Sequence, residues 1–357
     1  MNIRWNYTTK LVNDLLTIDK VKALVELLEL PISIEEEIKK EITIKRVHYS
    51  TKIEGNTLNL NEVKEAIENN KKSRERNVLE VRNYYNALMF LNEVAKSKKQ
   101  LNEDLIFKTH NLVSGKNLLY QNKYRDAQNV VADSISNNIV YMPPEAKDVG
   151  LLIKQMIDNF HESDTQNIPI PIRAGILAYE FVTIHPFWDG NGRCSRLLAT
   201  YILKLYNYDL KGFYVMEEYY DKDISKYYNS LQMDLHHNFY FGRNDADITE
   251  WLEYFVSIMA NTFELVGKRV KDIYESEKSE ISILDTLDKR ERWVANYIFT
   301  NGKIKAKDIA NYFNINLDTA NNWIKKWIEK DFLVRLNDKQ IRNVDYILST
   351  KYYNHLK

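Results

Sequence analysis

The sequence predicts an all-α protein with one small β-hairpin in its middle and a second near its C-terminus. Only 10 Gly and 6 Pro occur among 357 residues, so few positions are suited to turns. Apolar residues recur at spacings of three and four through most of the chain, which is the period of an amphipathic helix. Hydrophobic residues make up 44% of the chain, enough to bury the cores of two or three domains.

The first region, residues 1–100, is predicted to be helical. The apolar-periodic run LVNDLLTIDKVKALVELLEL ends at Pro31, which cannot continue a helix. A second helix is predicted to begin at Ser33, because Ser33 and Glu36 have the spacing of a capping box. It ends in the turn-forming segment EGNTLNL. The charged run that follows indicates further helices with a solvated face.

The second region, residues 101–270, is predicted to be a helical core interrupted by a hairpin. Two short β-like runs flank the polar turn SISNN in NVVADSISNNIVYMPP, residues 129–144. Helical periodicity resumes in VGLLIKQMIDNF, PIRAGILAYEFVTI and RLLATYILKLYN. A last long helix changes into a charged segment before residue 285, which we interpret as a linker.

The third region, residues 285–357, has the pattern of a winged helix-turn-helix. Three short amphipathic helices are followed by an alternating pair of strands around NDK. From residue 288 onward there are 14 Lys and Arg against 8 Asp and Glu, so DNA is an expected partner of this region. The groove-facing candidates are Asn321, Asn322, Lys325 and Lys326, whereas Trp323 and Trp327 are expected to pack in the core. A protein-binding module remains the alternative.

Composition restricts the remaining classes of function. Fifty basic and fifty acidic residues cancel, so the global charge favours neither nucleic acid nor membranes. Cys194 is the only cysteine, and the segment MNIRWNYTTK lacks the apolar stretch of a signal peptide. No run approaches the length of a membrane-spanning helix. We therefore expect a cytoplasmic protein with no membrane partner.

The stretch HPFWDGNGRCSR, residues 185–196, concentrates the polar chemistry of the chain. Apolar stripes precede and follow it, so the stretch is predicted to be a loop that joins two helices. Pro186 ends the first helix, and the Gly-Asn-Gly group lets the backbone turn into the second. Unpaired N–H groups at a helix start, beside Arg193 and Arg196, would bind an anion such as phosphate.

Two side chains of this loop could carry out chemistry next to the anion site. His185 could accept a proton from an attacking hydroxyl group near neutral pH. Asp189 offers the single hard oxygen ligand that Mg²⁺ takes when phosphates and water complete its coordination. Phe187 is expected to hold the loop in the core. A helix-end histidine and an Asp-Gly-Asn-Gly turn are each common in ordinary loops, but the combination favours phosphoryl or nucleotidyl transfer from a Mg-nucleotide.

The same residues resemble the motif of the Fic family, HxFx(D/E)GNGRxxR, at every defined position. Fic proteins commonly transfer AMP from ATP to a hydroxyl side chain of a target protein, and the resemblance implies a Fic-type helical core. It implies that His185 is the base, that Asp189 is the Mg²⁺ ligand and that Arg196 faces the γ-phosphate. The implied ligands of the α- and β-phosphates are Gly190, Asn191, Gly192 and Arg193.

The resemblance also assigns two outlying segments. The hairpin, with Val140 and Tyr141 on its second strand, looks like the family's flap, which holds the target chain by strand addition. The segment SKYYNSL resembles the one that lines the adenine pocket, which would place Tyr227 and Tyr228 near the base.

The segment STKIEGN, residues 50–56, matches the inhibitory motif [S/T]xxxE[G/N]N of Fic proteins whose inhibitory helix precedes the core. Glu54 would pair with Arg196 and take the place of the γ-phosphate. Ser50 is expected to support Glu54 by hydrogen bonding. Alone, Glu54 could be an ordinary surface glutamate, but the complete motif in the same chain favours an inhibitory role.

Four functions follow from these patterns. The first is a protein adenylyltransferase, autoinhibited by Glu54, that uses ATP and Mg²⁺ on an unknown target protein or on itself. The second is a bifunctional or mainly AMP-removing Fic enzyme, in which the same glutamate positions a water. The third is a nucleic-acid-binding regulator that acts through residues 285–357. A phosphate-containing donor other than ATP is the fourth. A homodimer is compatible with each of them.

Overall fold

The computed structural model describes residues 1–69, 73, 75–115, 122–132, 138–277, 287–337 and 344–353. The predicted turn SISNN, the end of the predicted linker and most of the turn NDK lie outside these residues. The chain divides into two compact units. Met1–Glu26 and Lys39–Gly267 form the first, and Leu27–Ile38 and Lys268–Lys357 form the second. The functional division into 1–100, 101–270 and 285–357 stays a prediction.

The described chain is predominantly helical, as predicted. Up to the first hairpin the helices are α1 (Thr9–Leu27), α2 (Ile32–Lys52), α3 (Leu60–Glu68), α4 (Arg76–Lys96) and α5 (Glu103–Ser114). After the hairpin come α6 (Ala146–Thr165), α7 (Ile170–Ile184), α8 (Asn191–Leu205), α9 (Glu217–Lys222), α10 (Ile224–Gln232) and α11 (Thr249–Glu277). The last helices are α12 (Lys289–Asn301), α13 (Ala306–Phe313), α14 (Leu317–Glu329) and α15 (Thr350–Tyr353). No described helix is both long and apolar enough to cross a membrane.

The start of α2 corrects one detail of the sequence analysis. The helix begins at Ile32, directly after Pro31, so Ser33 lies inside the first turn and is not its N-cap. A capping box does occur at α3, where the Asn59 side chain accepts from the Glu62 N–H and Glu62 accepts from the Asn59 N–H. Local spacing suits both sites, and the position of the proline decides which one starts a helix.

Helix α8 is the centre of the first unit and packs against α4, α5 and α7. Nearly every side chain of α7 is buried. On another side, α7 approaches α11 closely at Gly175, where the Trp251 Nε1–H donates to the Gly175 carbonyl at 2.8 Å. The two helices that flank the 185–196 stretch are therefore held by the core of this unit.

The predicted hairpin is present beside this core. Strands β1 (Val131–Ala132) and β2 (Ile139–Tyr141) pair antiparallel, with Val131 opposite Tyr141. The next residue, Met142, is fixed by two backbone hydrogen bonds: its N–H donates to the His237 carbonyl at 2.8 Å, and its carbonyl accepts from Phe239 at 3.0 Å. The hairpin is thus attached to the segment between α10 and α11.

The second unit has the predicted order of three helices followed by two strands. Strands β3 (Leu333–Arg335) and β4 (Tyr346–Leu348) pair antiparallel, and Ile304, before α13, forms an isolated bridge to Tyr346. Trp327 is buried and Trp323 is partly buried against the core, which confirms that both pack. The other core side chains include Val294, Ile298, Ile309, Ile324 and Phe332.

Two glycine substitutions should have opposite effects on stability. A Cβ at Gly175 would lie 2.9 Å from Leu252 Cδ2, whereas a Cβ at Gly150 on α6 would meet nothing within 4 Å. Overpacking costs roughly 1–3 kcal/mol, and Gly to Ala in a helix gains roughly 0.5–1 kcal/mol. We expect Gly175→Ala to lower the free energy of unfolding by about 1 kcal/mol, and Gly150→Ala to raise it by about 0.5–1 kcal/mol. Urea titration measures both, and equal effects would contradict the close approach at Gly175.

Candidate active site

The loop between α7 and α8 is closed by its own side chains. His185 ends α7 in the left-handed region, with φ 51°, and Gly190 precedes α8 with φ 82°. The Asn191 side chain accepts from the Phe187 N–H at 2.9 Å and donates to the Phe187 carbonyl at 2.8 Å. This amide, a predicted phosphate ligand, is therefore used inside the loop. The backbone N–H groups of the first turn of α8 remain available to an anion, since they have no intrahelical acceptor.

Phe187 holds the loop in the core, as predicted, with the help of a residue that the sequence analysis missed. Its ring is fully buried and stacks on His110 of α5 at 3.6 Å between ring centroids. Burial lowers the pKa of His110 to about 4, so the ring is neutral at pH 7. His110 Nε2 lies 3.1 Å from the Asp189 carbonyl, so the hydrogen-bond geometry places its proton there. His110 thus fixes the loop on both sides of Trp188.

His185 has the protonation state and tautomer that a base requires. Its Nδ1 lies 3.3 Å from the Val182 carbonyl, so Nδ1 carries the proton and Nε2 keeps its lone pair. Burial, together with the charge of Arg125, lowers the pKa of His185 to about 4. Arg125 also donates from Nε to the His185 carbonyl at 3.0 Å, which holds the strained backbone. A phosphate group nearby would raise this pKa toward neutrality.

Asp189 is the exposed carboxylate of the site, with 78% of its side chain accessible. One oxygen accepts from the Gly190 N–H at 2.6 Å and from Arg193 at 3.0 Å. Among the described residues no three His, Cys, Asp or Glu side chains cluster to hold a metal ion. The donor set thus fits a cation that takes one protein oxygen and fills its other positions with phosphate and water, as Mg²⁺ does.

Arg193 is buried and carries two carboxylate partners. Its NH2 donates to Asp189, and its NH1 donates to Glu80 Oε1 on α4. Its Nε has no hydrogen-bond partner in the part of the chain that the structure describes. The other oxygen of Glu80 accepts from Asn56 Nδ2 at 2.9 Å. Glu80 was not identified from the sequence, because it belongs to no motif and lies 113 positions from Arg193.

Arg196 is bound by the segment that carries the predicted inhibitory motif. Its NH2 donates to Glu54 Oε1 at 2.8 Å and to the Ser50 carbonyl at 2.9 Å, and its Nε donates to Ser50 Oγ at 2.8 Å. Burial lowers the pKa of Arg196, but the negative charge of Glu54 outweighs it, so the pKa is raised and the group stays charged. The expected Ser50 to Glu54 hydrogen bond is corrected: Ser50 binds the arginine.

Glu54 lies directly over the first turn of α8. A Cβ on Gly192 would overlap Glu54 Oε1, so glycine is required there while the glutamate is in place. The backbone after α2 is fixed by Thr51, whose carbonyl accepts from Glu54 at 3.0 Å and from Asn56 at 3.1 Å. The Glu54 carboxylate thus stands at the helix start where the sequence predicts phosphates.

The two tyrosines of the predicted adenine pocket lie in different surroundings. Tyr227 is buried, stacks on Tyr220 at 4.5 Å and lines a cavity of about 20 Å³ together with Arg196. That space suits a water molecule and is too small for an adenine ring. Tyr228 is 42% exposed, so a ligand from solvent can reach it without rearrangement of the core.

The predicted flap residues anchor the hairpin. Tyr141 is buried, and its hydroxyl donates to the Thr183 carbonyl of α7 at 2.5 Å. Val140 is partly buried, and Ile139 and Val130 are exposed on the same hairpin. The hairpin is therefore fixed to the helix that ends at His185, which keeps its outer edge beside the loop.

Comparison with known proteins agrees with this geometry. Residues 100–203 match the Fic/DOC family. Protein adenylyltransferase fic-1 of Caenorhabditis elegans is 33% identical over 168 residues, which cover 44% of this chain and 31% of the relative. Protein adenylyltransferase Fic of Drosophila grimshawi is 26% identical over 234 residues, which cover 64% of this chain and 43% of the relative. The chain thus spans less than half the length of these curated relatives.

Two solved structures share the fold. A Fic family protein from Desulfovibrio desulfuricans G20 aligns over 98% of this chain and 99% of its own, with a TM-score of 0.62 and 20% identity. Fic-1 of C. elegans aligns over 75% of this chain and 73% of its own, with a TM-score of 0.56 and 22% identity. At these identities the comparison supports the fold and not the roles of individual residues.

The protonation of His185 provides a direct test of the loop. Because burial lowers its pKa, we expect the imidazole to stay neutral from pH 7 down to about pH 4 and to take up a proton only there. NMR titration of the histidine side chains measures this, and His185→Ala identifies the signal by removing it. A midpoint near the ordinary value of 6.5 would contradict the buried, neutral state.

Proposed function

Because residues 100–203 of the chain are a Fic domain, we propose that the protein is an adenylyltransferase that moves AMP from ATP to a hydroxyl group of a target protein. The observation that carries the proposal is the composition of one rigid loop. It presents a neutral His185, an exposed Asp189 and the unpaired N–H groups of α8 within a few consecutive residues. An anion donor, a metal ion and a base are needed together in such a reaction.

In the proposed reaction His185 Nε2 takes the proton of the target hydroxyl, whose oxygen bonds to the α-phosphorus of ATP. The bond from the α-phosphorus to the β-phosphate oxygen breaks, and pyrophosphate leaves. The first turn of α8, with Gly190, Gly192 and Arg193, would hold the phosphates. Mg²⁺ on Asp189 would neutralise phosphate charge. The exposed edge of the hairpin would hold the target chain by strand pairing.

Glu54 is proposed to keep this activity low. Its carboxylate pairs with Arg196 at 2.8 Å, so a γ-phosphate would have to compete for the same guanidinium. It also lies against Gly192, at the helix start that the phosphates need. ATP bound around the glutamate would be displaced from in-line geometry at the α-phosphorus. Ser50 supports this state by binding the same arginine.

Two substitutions test the proposal together. Glu54→Gly frees Arg196, and we expect it to raise AMP transfer by about tenfold or more, since a charge-assisted contact is removed. His185→Ala in the Glu54→Gly chain should lower transfer by roughly 10²–10⁴-fold, the usual contribution of a general base. Labelled ATP with Mg²⁺, scored for label on protein, measures both. His236→Ala is the matched control, because His236 is exposed outside the loop.

The inhibitory role fails if Glu54→Gly labels protein no faster than the unaltered chain. The base role fails if His185→Ala and His236→Ala label protein equally. If no variant labels protein from ATP while another phosphate-containing donor does, the donor is not ATP.

AMP removal is a second candidate, and the position of Glu54 favours it. The carboxylate lies beside the loop that would hold a modified side chain, where it could position a water for attack on the phosphorus. Incubation of an AMP-modified target without ATP separates the two reactions. Release of AMP by the unaltered chain and its loss in Glu54→Gly would identify removal.

DNA binding by the second unit is a further candidate. On α14, Asn321, Asn322, Lys325 and Lys326 are exposed, while the two tryptophans pack in the core. Exposed cations and amides on one helix of a winged helix-turn-helix would suit a DNA groove. Asp318 and Glu329 on the same helix oppose this interpretation, since they would face phosphates.

The lysines of α14 provide the test. In the full chain, conversion of Lys325 and Lys326 to Gln should weaken DNA binding and reduce its salt dependence by about one counterion per phosphate contact. Fluorescence anisotropy of labelled duplex DNA at several salt concentrations measures both. Lys351→Gln, outside α14, is the control. Unchanged affinity, or none at all in the unaltered chain, would favour a protein-binding module.

The remaining assignments belong to the same proposal. ATP and Mg²⁺ are the donor and the metal, and the target is an unknown protein that could include this chain itself. A cytoplasmic setting suits the use of ATP and the single buried free thiol, Cys194. A homodimer is compatible with the proposal and is tested by sedimentation.

A further inference from the structure

Each arginine of the loop motif is paired with a glutamate from the first hundred residues. Glu54 pairs with Arg196, and Glu80 pairs with Arg193. The second pair has no counterpart in the sequence motifs. Glu80 lies near the start of α4, a helix that packs against α8. The role of this second carboxylate is therefore open.

The two carboxylates on Arg193 differ in their freedom to move. Glu80 is largely buried, with 12% of its side chain exposed, whereas 78% of the Asp189 side chain is exposed. A carboxylate at the surface can leave an arginine for a metal ion, because water solvates it on the way. A buried carboxylate cannot leave without a large desolvation cost. On binding Mg-nucleotide, Asp189 would leave and Glu80 would stay.

Glu80 is also held from its other side. Its Oε2 accepts from Asn56 Nδ2, which donates as well to the Asn77 carbonyl at 3.0 Å. The Asn56 Oδ1 accepts from the Leu58 N–H at 3.1 Å. Every polar atom of the Asn56 side chain is thus used, and the Glu80 carboxylate has one orientation. The guanidinium that it binds is fixed with it.

Arg193 keeps donors for a ligand in this arrangement. Glu80 takes NH1, and Nε is without a partner among the described residues. The NH2 group becomes free when Asp189, its carboxylate partner, turns to a metal ion. An arginine with one fixed edge and one open edge is suited to bind phosphate, because little side-chain freedom remains to be lost.

We propose that Glu80 is a positioning residue for nucleotide binding: it holds the buried Arg193 guanidinium so that its open edge faces the phosphates. The proposal rests on the proposed AMP transfer, in which Arg193 binds phosphate. It predicts that Glu80 assists the nucleotide, whereas Glu54 opposes it. A glutamate that merely competed for Arg193 would have the opposite effect.

The test uses the full chain with Glu54→Gly as parent, so that inhibition does not mask binding. Glu80→Gln keeps the shape of the side chain and removes its charge. Glu93→Gln is the matched control, because Glu93 lies on the same helix in an exposed pair with Lys96. Calorimetry gives the Kd for MgATP and for adenosine, and steady-state labelling gives KM and kcat.

We expect Glu80→Gln to raise the Kd and KM for MgATP by roughly tenfold, as for loss of a charge-assisted contact. The Kd for adenosine, which has no phosphate, should be unchanged, and Glu93→Gln should match the parent. Tighter MgATP binding would overturn the proposal in favour of competition. Equal weakening of MgATP and adenosine would overturn it in favour of a purely structural role, as would no change in either.

Two further measurements keep the outcome decisive. If Glu80→Gln does not fold, Glu80→Asp retains the charge but withdraws the carboxylate, and the same selective loss of MgATP binding is expected. If the parent binds MgATP but labels no protein, the proposed function fails while the binding result still decides the role of Glu80. If the parent labels protein and Glu80→Gln equals it in KM and Kd, only the role of Glu80 fails.

Discussion

The buried guanidinium groups of Arg193 and Arg196 impose the main constraint on this site. Both lie on α8 in the core of the first unit, where an unpaired charge is costly. Each therefore needs a counter-ion in every state of the protein. In the structure Glu54, Glu80 and Asp189 supply the counter-ions. The proposed inhibition thus rests on an electrostatic requirement of the fold as well as on regulation.

The loop before α8 meets a second requirement, which is rigidity without filled donors. Asn191 closes the loop by its side chain, and His110 supports it through Phe187 and the Asp189 carbonyl. These contacts use side chains and backbone groups of the loop itself, so they leave the first-turn N–H groups of α8 unused. His185 likewise uses Nδ1 on the Val182 carbonyl and keeps Nε2 free. The loop is fixed by groups that the proposed chemistry does not need.

The sequence predicted the parts of the site that are contiguous and local. Residues 185–196 contain their own turn and both arginines, and the 50–56 segment is likewise continuous, so spacing alone indicated them. Glu80 and His110 come from helices far away in sequence and share no motif with the loop. Their proximity depends on how α4 and α5 pack against α8, which no local pattern contains. The correct helical class and the missed partners have the same cause.

Ser50 illustrates the same limit within a motif. Its position one turn before Glu54 suggested a bond between the two, but three-dimensional packing gives both of them to Arg196. This changes the physical meaning of the segment. Serine and glutamate together replace the oxygens that a phosphate would present, so the guanidinium keeps acceptors with or without nucleotide. Release then requires a ligand that satisfies Arg196 equally well, and a phosphate is such a ligand. Inhibition of this kind is graded by competition between two anions, and its strength depends on how firmly the backbone after α2 holds Glu54.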